Sequence, residues 1–285
     1  MSVSVAESYR LCHQIARRTG KNFYYSFLVM PEPKRLAMCA IYAFMRRSDD
    51  IADGAANPAV ASAGLRDWRA QVDAALTAGK FEDPTLPALA DTVQRYRIEP
   101  RYFHELLDGT EMDQAVTRYE TFDQLYRYCY HVASVVGLVV LPVFGYKDDA
   151  AKIPGEACGI AFQLTNILRD VKEDAQLGRI YLPAEDLRRF GVSETDIMNN
   201  NFTPQFLELM KFEAARAREY YAKAAPLLGM IDADSRGTLA TMIGIYGGLL
   251  DKIEASGYAV FDGRIRLTAR RKLWIVAKNW MKYGL

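Results

Sequence analysis

Apolar residues recur at helical spacing along most of the chain. The alternation of apolar and polar residues between Asn-Gly or Asp-Gly turns that is typical of strands is almost absent. The pattern therefore predicts an all-α fold, with helices over residues 3–18, 31–53, 59–78, 85–97, 100–114, 122–140, 156–174, 204–229, 233–256 and 268–282.

Start and stop signals support two of these helices. Pro31-Glu32-Pro33 opens a helix that should end at Gly54, because proline suits the first turn of a helix and glycine its end. Thr121 and Gln124 resemble a capping box at the start of the helix from residue 122. The longest apolar run, 132–144, is interrupted by glycine and proline and is shorter than the roughly 20 residues that span a bilayer. It predicts a buried helix.

Composition narrows the class of protein. No linker-like or repetitive tract divides the sequence, so residues 1–285 are expected to form a single domain. A net charge of +1 gives no reason to expect nucleic-acid binding. The scattered cysteines lack Cys-x-x-Cys spacing and no secretory leader is recognisable, so a cytoplasmic protein without disulfides is expected. No dinucleotide fingerprint is present, and no use of NADPH is predicted.

Two acidic clusters lie on separate predicted helices. Asp49 and Asp53 are spaced i,i+4, and Asn166, Asp170 and Asp174 follow at i, i+4 and i+8, so each set projects from one helix face. Carboxylates stacked in this way repel one another unless a cation lies between them. Hard oxygen ligands suit Mg²⁺, which is often held by carboxylates together with substrate phosphates. The clusters therefore predict a magnesium-dependent diphosphate site.

Aromatic residues crowd the same helices. Most of them are explained by core packing, but ring faces beside a diphosphate could also stabilise a carbocation by about 0.5–2 kcal/mol each. This predicts ionisation of an allylic prenyl diphosphate. The rings in question are Phe23, Tyr24, Tyr25, Phe27, Tyr42, Phe44, Tyr126, Tyr128 and Tyr130.

Several blocks of the sequence, in order, resemble the squalene and phytoene synthases, which join two prenyl diphosphates head to head. They are N-F-Y-Y-S-F at 22–27, the run 40–54, Y-C-Y-H-V-A-S-V-V-G at 128–137, Q-L-T-N-I-L-R-D-V-K-E-D at 163–174 and G-R-I-Y-L-P at 178–183. The resemblance implies the class I isoprenoid synthase fold, a bundle of antiparallel helices around a deep central cavity. The segments 106–137 and 178–192 look most like bacterial presqualene diphosphate synthases of hopanoid pathways.

The resemblance also implies roles for individual residues. Mg²⁺ would be held by Asp49, Asp53, Asp170 and Asp174. Catalytic roles fall to Tyr42, Tyr128, Tyr181, Arg46 and Arg169; Tyr128 would steer proton loss or stabilise the cation, and the arginines would contact diphosphate unless they form only surface ion pairs. Substrate-binding residues are expected at Lys21, Asn22, Phe23, Phe27, Val132, Val136, Gln163, Asn166, Arg264 and Lys272.

Two positions in the acidic clusters and one in the first block are less clear. Asp50 and Glu173 point roughly 100° away from their neighbours on a helix, so they are either solvated or outside the direct ligand set. Many relatives carry a serine where this chain has Asn22, so the Asn22 amide or Lys21 is expected to replace a hydroxyl contact.

The resemblance implies condensation of two farnesyl diphosphates to presqualene diphosphate. The alternative is a phytoene synthase acting on two geranylgeranyl diphosphates, and a remote one is a non-catalytic prenyl-lipid-binding subunit. A head-to-tail elongase is disfavoured because the second acidic motif does not repeat D-D-x-x-D. The oligomeric state stays open.

A contact with the membrane surface is the last expectation. Leu273, Trp274, Ala277, Trp280 and Met281 fall near one face of the last helix, and lysines and arginines lie elsewhere on it. Such a helix either packs on the bundle or lies at the inner face of a membrane without crossing it.

Overall fold

The computed structural model describes residues 3–20, 24 and 26–283, and it is almost entirely helical. Within these ranges the only β-pairings are two isolated bridges, Arg118 with Ile180 and Tyr146 with Ile231, so the all-α prediction is confirmed. The helices are α1 Val5–Thr19, α2 Glu32–Asp53, α3 Pro58–Ala78, α4 Leu86–Tyr96, α5 Arg101–Ala115, α6 Phe122–Cys129, α7 Val135–Phe144, α8 Lys152–Gln176, α9 Ala184–Phe190, α10 Glu194–Met198, α11 Pro204–Ala224, α12 Leu227–Met230, α13 Ala233–Ala255 and α14 Ala269–Tyr283.

The long helix α8 lies at the centre of the fold. It packs against α11, α7 and α13, and its buried residues contribute to both hydrophobic clusters of the protein. Large side chains fill the first cluster, where Phe44 stacks against Trp68 with ring centroids 6.0 Å apart. The Trp68 indole N–H donates to the Ser48 hydroxyl at 3.1 Å, which satisfies a buried polar group beneath the acidic end of α2.

Helix α2 has the predicted limits. It begins at Glu32 after Pro31 and ends at Asp53, and the Gly54 amide donates to the Asp50 carbonyl. The carboxylates of its last turn therefore sit at the negative end of the helix dipole, where charge of their own sign is disfavoured.

The segment 122–144 differs from the prediction of a continuous helix to residue 140. A π-helical turn, Tyr130–Ser134, separates α6 from α7. The Thr121 hydroxyl caps the Gln124 amide as predicted, but the Gln124 side chain accepts from the Glu120 amide rather than from Thr121. Length and apolar composition alone would let Phe122–Phe144 cross a membrane, yet 56% of its most apolar window is buried within the fold.

The π-helical turn lies very close to α8 at Gly159. A Cβ added to Gly159 would lie 2.4 Å from the Ser134 Cα, so only glycine fits here. The Ser134 hydroxyl of the turn also donates to the Glu156 backbone carbonyl of α8 at 2.8 Å, which adds a second contact between the turn and α8. Such π-helical turns are frequent at functional sites.

Three other parts of the helix prediction need correction. The helix expected over 204–229 ends at Ala224 and is followed by the short α12. The helix expected from residue 156 starts at Lys152. Pro154 therefore lies in its first turn, where proline is tolerated. The short helices α9 and α10 were not predicted, because fewer than eight residues carry too little periodicity.

All four cysteines of the chain are buried free thiols, and each lies on a different helix. They are Cys12, Cys39, Cys129 and Cys158. Burial raises the pKa of Cys12, Cys39 and Cys158 to about 12, so these thiols are protonated at neutral pH.

Candidate active site

The end of α2 forms one wall of a cavity of about 240 Å³. Asp49 and Asp53 both line it, which agrees with the i,i+4 spacing that predicted a shared face. Asp113 of α5 and Tyr128 of α6 line the same cavity.

Asp113 is the centre of a hydrogen-bonded cluster. Its carboxylate accepts from the Tyr128 hydroxyl at 2.7 Å and from the Tyr181 hydroxyl at 2.6 Å, and Arg179 donates to its other oxygen at 3.3 Å. The Tyr128 and Tyr181 rings stack with centroids 5.2 Å apart, and Tyr119 packs against both. Burial, and then the Asp113 charge, raise the pKa of Tyr128 far above its usual value. Tyr128 is therefore a neutral hydrogen-bond donor and not a free base.

Sequence reasoning did not assign a role to Asp113 or Tyr119. A signal for Asp113 existed in the spacing of α5, because Leu106, Gly109, Thr110 and Asp113 follow at i, i+3, i+4 and i+7 and all line the cavity. An acid at a position of the inward stripe indicates a buried or functional carboxylate.

Carboxylates crowd one another where α2, α5 and α8 meet. Burial, and then the charge of Asp53, raise the pKa of Asp49 to about 6. Burial, and then the charges of Asp170 and Asp113, raise the pKa of Asp174 to about 7. The Asp113 charge contributes to both shifts, so Asp113 lies near both acidic clusters. The site therefore carries more negative charge than its own side chains neutralise.

Asp170 is held by two arginines. Arg264 binds it through two parallel contacts, at 2.9 Å to Oδ1 and 3.0 Å to Oδ2, and the adjacent Arg169 binds the same two oxygens. The sequence predicted Asp170 as a metal ligand and both arginines as diphosphate contacts. In the structure these three side chains form one cluster. Because both Asp170 oxygens already accept from two arginines, a metal ion that binds Asp170 has to displace one of them.

Arg46 and Asp50 pair on the outer side of the first acidic cluster. The Arg46 guanidinium donates to Asp50 at 2.5 Å, and Asp50 thus points away from Asp49 and Asp53. The Arg46 Nε is buried with no hydrogen-bond partner, as is Glu173 Oε2 on α8. Unsatisfied buried groups of opposite charge beside the two acidic clusters indicate that the site is shaped for a polar ligand.

A larger cavity, of about 660 Å³, has a cluster of basic residues in its wall. It contains the predicted substrate residues Arg169, Arg264 and Lys272 together with Tyr42, and Asp49 joins it to the first cavity. Burial, and then Arg169 and Arg266, lower the pKa of Lys272, which reflects the density of positive charge there. Such a wall suits a diphosphate.

An apolar cavity of about 140 Å³ continues from these two into the bundle. It shares Val132 and Val136 with the first cavity and Asn166 and Tyr246 with the second. The Asn166 amide donates to the Gln163 carbonyl oxygen at 3.3 Å at its rim. The deeper lining is almost wholly apolar: Val140, Leu141, Phe144, Gly155, Cys158, Gly159, Leu227, Leu239 and Met242. The first two cavities together form a polar mouth, and the third forms an apolar tunnel that leads from it into the bundle.

One predicted substrate residue among the described ones, Phe27, does not line these cavities. Phe27 is buried in the first hydrophobic cluster. Lys21, Asn22 and Phe23 lie outside the described residues.

The donor set fits Mg²⁺ in combination with a substrate. Across the described ranges, no three His, Cys, Asp or Glu side chains converge as ligands of one metal ion. Mg²⁺ is commonly bound through one or two carboxylates plus phosphate oxygens, and the crowded, incompletely neutralised carboxylates of Asp49 and Asp174 provide such ligands.

A family model described as Squalene/phytoene synthase matches residues 16–271. The chain belongs to the squalene/phytoene synthase family. It is therefore a prenyltransferase that acts on prenyl diphosphates by head-to-head condensation.

Relatives of this squalene/phytoene synthase extend over nearly its whole length. The 15-cis-phytoene synthase of Synechocystis sp. is 38% identical over 291 residues, covering 98% of this chain and 86% of the relative. That of Synechococcus elongatus is 39% identical over 282 residues, covering 95% and 91%.

Solved structures confirm the class I isoprenoid synthase fold. A dehydrosqualene synthase in complex with ligand has a TM-score of 0.89 and 32% identity, covering 98% of this chain and 97% of that one. Squalene synthase HpnC from Alicyclobacillus acidocaldarius has a TM-score of 0.84 and 28% identity, covering 89% and 95%.

Proposed function

We propose that this protein is a phytoene synthase, which condenses two geranylgeranyl diphosphates. The observation that carries the proposal is the pair of phytoene synthases that are 38% and 39% identical over at least 95% of the chain. Of the two substrates expected from the sequence, this favours geranylgeranyl diphosphate, which was the alternative, over farnesyl diphosphate.

The tunnel geometry supports a long substrate. Val132, Val136, Val140 and Phe144 line it along α7 and the π-helical turn, and at about 1.5 Å per residue they extend over about 18 Å. On the α8 side the lining residues include Gly155 and Cys158, whose small size leaves room for an isoprenoid chain.

The first step breaks the C–O bond of one allylic diphosphate. Arg169, Arg264 and Lys272 line the basic cavity and bind the departing diphosphate, and their charges offset the negative charge that develops on it. Arg46, also predicted as a diphosphate contact, pairs with Asp50 and lines none of the three cavities. Asp49, Asp53, Asp170 and Asp174 would hold Mg²⁺, which when bound polarises the diphosphate oxygens and makes the diphosphate a better leaving group.

The allylic cation left behind is held beside aromatic rings. Tyr128 and the Asp113 carboxylate line the first cavity, so that a ring and a negative charge stabilise the cation; Tyr181 stacks on Tyr128 and donates to the same carboxylate. The apolar tunnel excludes water, which would otherwise convert the cation to an alcohol.

The second substrate then attacks the cation through its double bond. Loss of one proton closes a cyclopropane ring and gives prephytoene diphosphate. A second ionisation, rearrangement and proton loss give phytoene, so two substrates release two diphosphates and two protons with no net oxidation or reduction. Since Tyr128 already donates to Asp113, the released diphosphate is the proposed proton acceptor.

A second candidate is supported by the solved structures. A dehydrosqualene synthase and a squalene synthase share this fold closely, and both names denote products of the shorter farnesyl diphosphate. The same residues would then act on a shorter chain.

Product analysis separates the two candidates. We expect purified protein with Mg²⁺ and without reductant to convert geranylgeranyl diphosphate to phytoene, detected by chromatography and mass spectrometry. Formation of presqualene diphosphate from farnesyl diphosphate, with little turnover of the longer substrate, would establish the second candidate. No turnover of either under conditions where the protein is folded would contradict both.

A further inference from the structure

The C-terminal helix α14 presents apolar side chains on two sides. On one side, Lys272, Ile275, Val276, Asn279 and Tyr283 are at least partly buried, and the helix packs there against α13. At about 100° per residue this stripe accounts for the packing of the helix on the bundle.

The opposite side of α14 is apolar and exposed. Trp274 and Leu273 are 51% and 57% exposed, and Trp280 and Met281 are 57% and 75% exposed. Because large apolar side chains rarely cluster on a free surface, this stripe indicates an interaction site. The prediction that the helix packs on the bundle thus accounts for only one of its two apolar sides.

Positive charge flanks the exposed stripe. Arg271, Lys278 and Lys282 share one flank of the helix, and the Arg271 guanidinium and Lys278 ammonium lie 4.6 Å and 5.2 Å from the centre of the Trp274 ring. No acidic side chain follows Asp262 in the sequence. A helix with tryptophan and leucine on its free face and only basic charge is complementary to an anionic lipid surface.

The same helix borders the substrate site. Lys272, in the first turn of α14, lines the large basic cavity together with Arg169 and Tyr42. At its other end, Trp280 and Tyr283 line a cleft with Val29, Met30 and Pro31. The helix that carries the exposed stripe therefore borders the cavity that would receive the prenyl diphosphate.

We propose that α14 docks the enzyme on an anionic bilayer surface, with Trp274 and Trp280 inserted at the headgroup level and the basic flank on the lipid phosphates. Docking brings the mouth of the site to the membrane, so that an apolar product can enter the bilayer without crossing water. Docking concerns the protein alone and is independent of which prenyl diphosphate the enzyme uses.

Vesicle co-sedimentation without substrate tests the proposal. We expect the protein to bind vesicles of mixed phosphatidylglycerol and phosphatidylcholine at low salt, and to bind pure phosphatidylcholine much more weakly. Binding to the anionic vesicles should fall as salt is added, because exposed charges are screened.

Two double variants separate the apolar and electrostatic parts. Trp274→Ser/Trp280→Ser and Arg271→Glu/Lys278→Glu should each weaken binding at least about tenfold. The matched controls change equally exposed residues on other helices or loops: Phe81→Ser/Ile153→Ser for the apolar pair and Arg66→Glu/Lys80→Glu for the charged pair. Both controls should bind as the unchanged protein does.

Several outcomes would overturn docking by α14. They are absence of binding at low salt, unchanged binding in either α14 variant, or equal loss in the controls. Light scattering gives another: if the protein is a dimer that the Trp274→Ser/Trp280→Ser variant converts to a monomer, the exposed stripe is an interface between copies. Circular dichroism confirms that each variant is folded. If the Trp274→Ser/Trp280→Ser variant does not fold, the charge-reversed Arg271→Glu/Lys278→Glu variant still tests the proposal.

Discussion

Asp113 links three donors from different parts of the chain. Tyr128, Tyr181 and Arg179 all donate to it, and its charge helps to raise the pKa of Asp49 and Asp174 in the two acidic clusters. We expect Asp113→Asn to lower kcat at least about a hundredfold, because the variant removes a partly buried negative charge beside the cation while keeping the side-chain shape.

The control for Asp113 is Asp108→Asn on the same helix, whose carboxylate pairs with Arg69 at 2.5 Å away from the cavity. It should stay within about threefold of the unchanged enzyme, as surface ion pairs contribute little. Full activity of Asp113→Asn would show that Tyr128 and Tyr181 are held in place by ring packing alone.

The acidic clusters give a second prediction at this scale. Asp49→Ala, Asp53→Ala, Asp170→Ala and Asp174→Ala should each reduce turnover at least about a hundredfold. Asp50→Ala, within the first cluster but paired outward with Arg46, should lose less than about tenfold. Equal losses at all five positions would mean that helix stability, not ligand binding, explains them.

The contact of α8 with the π-helical turn gives a prediction at the level of elements. Gly159→Ala would bring a methyl group to within 2.4 Å of the Ser134 Cα, where backbone cannot move aside cheaply. We expect a loss of at least about 2 kcal/mol in the free energy of unfolding, measured in urea.

Gly229→Ala is the matched control, since a Cβ at Gly229 meets nothing within 4 Å. A stable Gly159→Ala protein with normal turnover would show that the π-helical turn can relax into ordinary α-helix.

The valines of the π-helical turn and α7 that line the tunnel give another prediction. Val136 lies where the apolar cavity joins the first cavity, so Val136→Phe should narrow the passage. We expect the ratio of kcat/KM for geranylgeranyl over farnesyl diphosphate to fall at least about tenfold, because a filled pocket rejects the longer chain. Val60→Phe, at an exposed position on α3, should leave the ratio unchanged. An unaltered ratio in Val136→Phe would place the chain elsewhere.

At the scale of the whole molecule, metal and substrate should stabilise the fold together. Since no three acidic or histidine side chains among the described residues converge on one point, Mg²⁺ lacks a complete protein site. We expect Mg²⁺ alone to change the melting temperature little, and Mg²⁺ with inorganic diphosphate at about a hundred times its Kd to raise it by roughly 5 °C. An equal rise with Mg²⁺ alone would indicate a metal site built by the protein itself.

Much of this architecture follows from local sequence. Helix α2 and its column of Asp49 and Asp53 depend only on proline and glycine signals and on i,i+4 spacing, and both were predicted. The π-helical turn was not predicted, because it arises from the close packing of Gly159 on Ser134, a contact between residues far apart in the chain. Arg264 on Asp170 and the donors on Asp113 likewise depend on tertiary packing, which periodicity does not record.

The buried cysteines can report local unfolding of the helices that carry them. Because Cys12, Cys39, Cys129 and Cys158 lie on α1, α2, α6 and α8, a thiol reagent can reach each one only when that helix separates from its neighbours. The modification rate of each thiol therefore measures the free energy of opening at that place. The four rates would rank the helices from the most loosely held to the most firmly held.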